Sequence, residues 1–427
     1  MALDNEELKK RRLERAQQRK QREAQQRQLM LRLAIALIAV IACGVLIWLL
    51  SKGAGSAGKD ETKPPEASTQ PETTAPAETQ PPTTVIHFAA AGDLNVTDKV
   101  VASGTGQMDY ARAFRDVMPL FANADLSVLN FEGNLTGMPY GTMTLSAPQG
   151  MMEALAGAGV DMIQMANSKT ISKGINGLTT TLTGIKTAGM EPLGAYATRK
   201  EFRQSGGYSI REINGVKVAV VAFTKGMDSM TLPSGSEDCV NLLYSDYSST
   251  YKSVDTSGIT SILRNVASDD PDITIALVHW GSEYNDQISK TQKTIRDVLL
   301  NNGVDAIIGT HPHYVQSIEY NQQKGTFVAY SLGDFFGDAT TAGTEYSIMV
   351  DLEITKDNET GITKITGYTH IPLFTVNEEG KALRVVSIED AMRAYDMQFL
   401  DQVSKETYEA MEYALTRIEA RVNKKVE

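Results

Sequence analysis

From Val85 onward the chain alternates short apolar runs with longer segments in which apolar residues recur every three or four positions. The apolar runs predict buried strands at 85–92, 126–131, 161–166, 216–223, 273–279 and 305–309. The periodic segments predict helices near 108–121, 151–158, 177–188, 257–266 and 289–301. Because such alternation is typical of α/β proteins whose strands are covered on both faces, this part of the chain is predicted to be an α/β body.

Antiparallel strands are predicted as well. Asn214-Gly215 separates two strand-like runs and is the strongest hairpin signal in the sequence. Later runs follow one another without helices between them, at 325–332, 344–354 and 362–375. The predicted fold is therefore two packed mixed β-sheets flanked by helices. Segment 388–423 has a helical period and is predicted to pack on the body as a helix, with an oligomerisation arm as the alternative.

The N-terminal region has a different character. Residues 1–32 carry ten Lys or Arg residues against five acidic residues, and residues 33–50 carry no charge. At 1.5 Å per residue the uncharged run would span ~27 Å, close to the thickness of a bilayer core. The sequence thus predicts a transmembrane helix at 33–50, a basic cytoplasmic arm before it and an extracytoplasmic body after it. The alternatives are a cleaved signal peptide and a lipoprotein signal with Cys43 as the lipidated residue.

Residues 51–84 contain six of the fourteen prolines and no large apolar residue, so they are predicted to form an extended linker. The rest divides into a predicted domain at 85–385 and a C-terminal helical segment at 386–427. The net charge from Val85 onward is -14, which argues against a nucleic-acid partner. Two cysteines exclude a disulfide framework and a multi-thiolate zinc site.

Polar residues follow the predicted strands at the point where each strand ends. Three of the five histidines of the chain lie there, together with two carboxylates and one carboxamide: His279, His311, His313, Asp93, Glu132 and Asn167. Because α/β sheets place their sites at strand ends, these side chains are expected to lie close together. Oxygen and imidazole ligands suit Mn, Zn or Fe better than Ca, so one or two divalent ions are predicted. His87 and His370 fit no such pattern and are interpreted as structural.

The order of these motifs resembles a known family. The motifs that carry the resemblance are Gly92-Asp93, Asn130-Phe-Glu132, Ala166-Asn167, His279-Trp-Gly-Ser-Glu-Tyr284, Gly309-Thr-His-Pro-His-Tyr-Val-Gln316 and Tyr330-Ser-Leu-Gly-Asp-Phe335. Together they are similar to the CapA family of capsule and poly-γ-glutamate synthesis proteins over roughly residues 85–375. An anchor, a Thr/Pro-rich linker and an extracytoplasmic body are also the usual layout of that family.

The resemblance implies a fold related to the calcineurin-like metallophosphoesterases, a four-layer sandwich of two mixed sheets covered by helices. It implies that Asp93 holds a first metal, that Glu132 bridges, that Asn167 and His279 hold a second metal, and that His311 and His313 serve one metal each. Two metals in such a site polarise a substrate oxygen and activate water for hydrolysis.

The function expected from the resemblance is synthesis, export or attachment of an anionic cell-surface polymer such as poly-γ-glutamate. The expected partners are the membrane and the polymer or its synthase complex. A metal-dependent phosphoester hydrolase unconnected with capsule is the first alternative, and a non-catalytic scaffold of the same fold is the second.

Two departures from the family pattern bear on catalysis. Where the family reads Ala-Asn-Asn-His-x-x-Asp, this chain has Lys169 in place of the histidine and Ser172 in place of the acid. Because an ammonium group is a poor proton donor at neutral pH, Lys169 is the predicted catalytic position that puts hydrolysis in doubt. Asp334 replaces an Asn in the Tyr-Ser-Leu-Gly-x-Phe motif and adds negative charge near the site.

Three residues are predicted to bind the substrate: Trp280, Glu283 and Asp334. Trp280 and Tyr284 follow His279 and either line a substrate groove or pack under the loop. Glu283 is repeated by the family pattern. Gln316 and Ser331 are weaker site candidates.

Overall fold

The structure is a computed structural model that describes residues 82–104, 109–399 and 402–426. The predicted arm at 1–32 and anchor at 33–50 lie outside these residues, as does the predicted linker except for its last three positions. Among the described residues, no helix is both long and apolar enough to cross a membrane.

The first sheet has eight strands. They are β1 (Thr83–Asn95), β2 (Leu126–Glu132), β3 (Met162–Gln164), β4 (Glu191–Leu193), β11 (Asp334–Phe336), β12 (Tyr346–Asp357), β13 (Thr363–Val376) and β14 (Arg384–Ser387). Their order is β14-β13-β12-β1-β2-β3-β4, and β11 also pairs with β1. The pairs from β1 to β4 are parallel, whereas β12, β13 and β14 pair antiparallel. The sheet is therefore mixed.

The second sheet has six strands. They are β5 (Ser209–Ile213), β6 (Val216–Thr224), β7 (Ile273–His279), β8 (Ala306–Thr310), β9 (Ile318–Asn321) and β10 (Thr326–Ala329), in the order β5-β6-β7-β8-β10-β9. Asn214 and Gly215 join β5 to β6 with φ values of 53° and 81°. Positive φ at both central residues is what a type I′ hairpin turn requires, so the predicted hairpin is confirmed.

The helices lie between the strands in sequence. They are α1 (Asp98–Ala102), α2 (Ala111–Phe114), α3 (Met118–Ala122), α4 (Gln149–Ala158), α5 (Gly174–Thr187), α6 (Arg199–Ser205), α7 (Thr256–Ser268), α8 (Lys290–Asn301), α9 (Ile388–Asp396) and α10 (Lys405–Val422). Sequence-encoded caps fix several of their starts. The clearest is the capping box of α8, in which Ser289 and Gln292 satisfy each other's backbone N–H groups.

Three buried clusters define the layers. Alternate residues of β1 face opposite sides of the sheet. Phe88 belongs to the buried cluster that includes Val218 and Leu277 of the other sheet, whereas Ala89 belongs to the cluster that includes Leu155 of α4. A third cluster joins the outer face of the second sheet to α7 and α8. The described residues thus form helices, sheet, sheet and helices, and the predicted α/β class with two packed mixed sheets is confirmed.

Two predicted helices are each broken in the structure. The segment predicted near 108–121 forms α2 and α3, because Pro119 has no N–H to donate to the preceding turn and favours the start of a helix. The segment predicted at 388–423 forms α9 and α10, where Ser404 caps a new start by accepting from the Thr407 N–H. Met411 of α10 is fully buried in the cluster between the sheets, so this segment packs on the body.

Candidate metal centre

The predicted strand-end residues converge at one edge of the two sheets. Asp93 lies in β1, Glu132 ends β2, His279 ends β7 and His311 directly follows β8. All of them are buried, with exposed fractions of 0–3%. Because β1 and β2 are parallel and β7 and β8 are parallel, each pair delivers its carboxyl-end residues to the same edge.

Six carboxylate and imidazole side chains make up this cluster, which we call the strand-end cluster. Three sets of them have ligand atoms within 4.8 Å of one another: Glu132 with His311 and His313, Asp93 with Glu132 and His279, and Asp93 with His313 and Asp334. Five of the six were predicted as metal ligands. The sixth, Asp334, was predicted as a substrate-binding residue.

A close backbone approach brings Asp334 into the cluster. The Asp93 N–H donates to the Gly333 carbonyl at 3.0 Å, and Asp93 is the register partner of Asp334 in the pairing of β1 with β11. A Cβ atom on Gly92 would lie 1.8 Å from the Gly333 oxygen. Only glycine therefore fits at position 92, and the two carboxylates face one another as a consequence.

The turn that carries the two histidines has an unusual backbone. His311 has a φ of 91° and His313 a φ of 58°, in the region that residues with a Cβ rarely adopt. The His311 N–H donates to Asp93 Oδ2 at 3.0 Å, and His313 Nδ1 lies 2.7 Å from Asp334 Oδ1. These two bonds hold the strained turn in place, as is common at functional sites.

Ser168 links the other two imidazoles. Its hydroxyl lies 3.0 Å from His279 Nε2 and 3.5 Å from His311 Nδ1. On its other side, His279 Nδ1 lies 3.1 Å from the Thr310 hydroxyl. Both ring nitrogens of His279 are thus engaged, which fixes the ring orientation at the edge of the cluster.

Asn167 lies beside the cluster in a network of amides. Its Nδ2 donates to Asn130 Oδ1 at 3.0 Å and to the Phe131 carbonyl at 2.7 Å, while its Oδ1 accepts the Lys169 N–H at 2.9 Å. Asn130 in turn donates to Asp93 Oδ1 at 2.7 Å. In this arrangement Asn167 positions the carboxylate through Asn130, and its predicted role as a ligand stays a prediction.

The charge balance of the cluster tests whether a divalent ion fits it. Burial raises the pKa of Asp93 to about 6 and that of Glu132 to about 8, and burial lowers the pKa of His279 and His311. Two buried carboxylates with raised pKa values need either protons or a cation. Because the donors are oxygen and imidazole only, they fit a divalent ion of the kind predicted.

His313 differs electrostatically from the other two histidines. Burial alone would lower its pKa, but the charge and hydrogen bond of Asp334 and the charges of Glu132 and Asp93 outweigh burial and raise the pKa well above the ordinary value. A carboxylate that holds a histidine in this way is the usual partner of a metal-bound imidazole. The position of Asp334 therefore suits two roles, that of a metal ligand and that of the carboxylate that orients His313.

Two lysines flank the cluster. Lys169 Nζ donates to Asp228 Oδ2 at 2.6 Å, and Lys225 Nζ donates to the Gly281 carbonyl at 2.9 Å and lies 3.2 Å from His311 Nε2. Burial lowers the pKa of Lys169, but the Asp228 hydrogen bond and the Glu132 charge outweigh it, so the net pKa shift is upward. Lys169 thus holds its proton firmly, as its predicted weakness as an acid requires.

Lys225, Ser168 and Asp228 were not singled out from the sequence. Lys225 directly follows β6 and therefore obeys the strand-end rule that identified the histidines, so a signal for it was present. Ser168 precedes Lys169 in the motif that departs from the family. Asp228 lies in a loop, and no local pattern marks it.

The predicted substrate-binding residues lie in different environments. Trp280 is fully buried, donates to the Tyr330 carbonyl at 2.8 Å and stacks on the Tyr330 ring, so its position supports the loop and gives no support to substrate binding. Glu283 is exposed next to Tyr284, whose ring centroid lies 5.3 Å from that of His313. Tyr284 is half-exposed and therefore accessible beside the cluster.

The weaker site candidates Gln316 and Ser331 make hydrogen bonds to nearby backbone groups. Gln316 is buried and donates to the Asn285 carbonyl at 2.8 Å, and the Ser331 hydroxyl accepts the Gly333 N–H at 3.3 Å. His87 and His370 lie outside the cluster, where they face Asp351 and Glu419.

The fold and the strand-end cluster together define a class of protein. It is an α/β protein of two mixed sheets with a candidate metal centre, made of carboxylates and imidazoles, at the strand ends. Residues 87–339 match the family model described as bacterial capsule synthesis protein PGA_cap. The chain belongs to this family, as the motifs predicted.

Two relatives bear similar names. The capsule biosynthesis protein CapA of Bacillus anthracis is 26% identical over 289 residues, which cover 66% of this chain and 65% of that protein. The match thus spans slightly less than two thirds of that relative's length. The PGA biosynthesis protein CapA of Bacillus subtilis (strain 168) is 25% identical over 297 residues, covering 66% of this chain and 71% of that protein.

Solved structures with partial similarity include a phosphatase from Mycoplasma pneumoniae and a hypothetical protein from Thermus thermophilus. The first has a TM-score of 0.41 and 15% identity, and covers 68% of this chain and 94% of the other. The second has a TM-score of 0.40 and 12% identity, and the match covers 67% of this chain and 98% of the other. At these scores neither structure defines the fold of this chain.

Proposed function

We propose that this protein acts in the synthesis, export or attachment of an anionic cell-surface polymer such as poly-γ-glutamate, through a divalent ion held at the strand-end cluster. One observation carries the proposal: all six members of the cluster lie inside the residues that match the capsule synthesis family. The names of the two Bacillus relatives support the same process. The partners would be the polymer and the complex that makes it.

The cluster residues have defined tasks in this proposal. Five members would hold the ion, with Asp334 orienting His313 or joining them: Asp93, Glu132, His279, His311 and His313. When bound, a divalent ion supplies Lewis acidity toward a substrate oxygen.

The flanking lysines would interact with the negative charge of the substrate. Lys225 and Lys169 place two ammonium groups beside the cluster, and these would bind an anionic group of the polymer and orient it. Lys169 is not arranged to release a proton to a leaving group, because it is held by Asp228 and its pKa is raised, whereas burial lowers the pKa of Lys225. Lys169 is therefore better suited to binding and orienting the polymer than to rapid hydrolysis.

A cellular measurement tests the proposal. In the organism that carries the gene, we expect the double variant His311→Ala, His313→Ala to lose most of the cell-associated anionic polymer, because both imidazoles belong to the cluster. The polymer is extracted from washed cells, separated from protein and cell wall, and quantified as the glutamate that acid hydrolysis of the extract releases. The control is His370→Ala, which removes an imidazole that faces Glu419 outside the cluster. Unchanged polymer in the double variant would argue against the proposal.

A metal-dependent phosphoester hydrolase is the second candidate. The observation that favours it is the cluster itself, since paired carboxylates and imidazoles at strand ends are suited to hydrolysis with divalent ions. A non-catalytic scaffold would keep the same fold and use the site to hold a partner.

We further propose that the chain is anchored in the membrane by residues 33–50, with Met1 in the cytoplasm and the body outside. The uncharged run and the basic arm before it support this topology. Protease added to intact cells should remove the body and leave a small membrane-bound N-terminal fragment. The fragment is detected with an antibody against the basic arm. A mature N-terminus at or after Cys43 would contradict the proposed anchor.

A further inference from the structure

A pocket with several lysines lies between the loop that follows His279 and the end of α10. Its volume is about 430 Å³, and its lining includes Lys293, Lys424, Lys425, Asp286, Gln287 and Ser317. We call it the lysine pocket. It shares no residue with the strand-end cluster.

The lysine pocket is rich in basic side chains within an acidic body. Among the described residues of its lining Asp286 is the one acid, and it lies 3.7 Å from the guanidinium of Arg421, which offsets the acid's charge. Lys424 donates to the neutral amide oxygen of Gln287 at 2.8 Å. The segment from Val85 carries a net charge of -14, whereas three of the eight described lining residues of the pocket are lysines. Such a patch attracts anions and repels cations.

A row of aromatic rings connects the pocket to the strand-end cluster. The Tyr284 ring lies 5.3 Å from the His313 ring and 6.1 Å from the Tyr314 ring, measured between centroids. Arg421 lies 4.8 Å above the Tyr314 ring. Asp286 follows Tyr284 by two residues, so their Cα atoms are at most ~7.6 Å apart. One loop therefore borders both the cluster and the pocket.

We propose that the lysine pocket is a second binding subsite, which takes a carboxylate of an extended anionic chain while another unit of that chain lies at the strand-end cluster. The inference rests on the proposed function, because it assumes a carboxylate-bearing polymer at the cluster. Compact, flexible ammonium groups bind anions as point charges, and the anionic groups of the proposed polymer are carboxylates.

Chain length is the variable that reveals such a subsite. A ligand that reaches two sites binds more tightly than one that reaches a single site, since the second contact becomes intramolecular. A glutamate oligomer of two residues occupies one site, whereas an oligomer of about ten residues is long enough for both. Removing the lysines should therefore weaken only the longer ligand.

The experiment measures the affinity of the purified full-length chain for γ-linked glutamate oligomers of two and about ten residues at low salt. The variant is Lys293→Gln, Lys424→Gln, Lys425→Gln. We expect it to bind the longer oligomer about tenfold more weakly than the wild type, as each exposed ion pair contributes a factor of about 1.5 to 5. Its affinity for the short oligomer should stay the same.

The matched control removes the same charge at the opposite end of the sheets. Lys217, Lys324 and Lys364 are exposed and lie near the starts of β6, β10 and β13. The variant Lys217→Gln, Lys324→Gln, Lys364→Gln should change the affinity for either oligomer by less than about threefold. Equal weakening by both triple variants, or no weakening by the first, would overturn the subsite.

Two further outcomes separate the subsite from the proposed function. If the wild type binds both oligomers, if the variant His311→Ala, His313→Ala loses both, and if the pocket variant equals the wild type, only the subsite is overturned. If the wild type binds neither oligomer, the proposed polymer function fails with it. Polyphosphate of the same charge is the competitor that tests the assignment to carboxylates, because ammonium groups also bind phosphates. Equal competition with the same lysine dependence would overturn that assignment.

Discussion

The double variant His311→Ala, His313→Ala should carry less than about a tenth of the divalent metal found in the wild-type chain after purification, because loss of even an outer-shell partner costs about 10- to 100-fold in affinity. Both imidazoles lie in sets of ligand atoms within 4.8 Å of one another. Elemental analysis of the two full-length proteins measures the difference.

The control for this prediction is a second pair of histidines. His87→Ala, His370→Ala removes two imidazoles that face Asp351 and Glu419, outside the cluster. We expect its metal content to match the wild type. Equal metal content in the wild type and in the variant His311→Ala, His313→Ala would show that the cluster is not the metal centre.

The substitution Lys169→His should raise hydrolysis of an activated phosphodiester by a factor on the order of 10², since a positioned acid typically contributes ~10²–10⁴ in rate. Wild-type activity should be weak, because the Lys169 ammonium is bonded to Asp228 and its pKa is raised. The same Asp228 carboxylate would be available to orient an imidazole at this position. Initial rates on an activated aryl diester, with metal content measured in parallel, test the expectation.

The comparison with Lys169→Ala decides how a negative result is interpreted. If the wild type is weak, Lys169→Ala should be equally weak and should still bind metal. Robust wild-type turnover that survives Lys169→Ala would mean that assistance to the leaving group comes from another residue. That outcome would favour the phosphoester hydrolase over the polymer function.

The convergence of the predicted ligand residues could be foreseen because parallel strands deliver their ends to a common edge. His279 and Glu132 end their strands, as the apolar runs before them indicated. The strained φ of His311 was not predictable, since it depends on a bond from its N–H to Asp93, 218 residues earlier in the chain. A sequence pattern does not encode such a tertiary constraint.

Asp334 shows why the role of a residue is harder to predict than its proximity. The sequence placed it near the site, but its contact with His313 at 2.7 Å depends on the pairing of the three-residue strand β11 with β1. A strand this short has too few residues for a period-2 pattern to be recognised. For Trp280 the sequence alone did not decide between lining a substrate groove and packing under the loop.

Helix boundaries were the least predictable part of the fold. The periodic segment near 388–423 contains enough apolar residues for one helix, but the caps at Ser387 and Ser404 begin two. A serine inside an apolar period resembles an ordinary polar position until tertiary packing selects the break.

Anomalous X-ray scattering from crystals of the protein grown with manganese tests the central claim most directly. We expect an anomalous peak inside the strand-end cluster, at coordination distance from side-chain atoms of Asp93, Glu132 and His313. A peak elsewhere in the body with none at the cluster, in a protein that contains the metal by elemental analysis, would contradict the account.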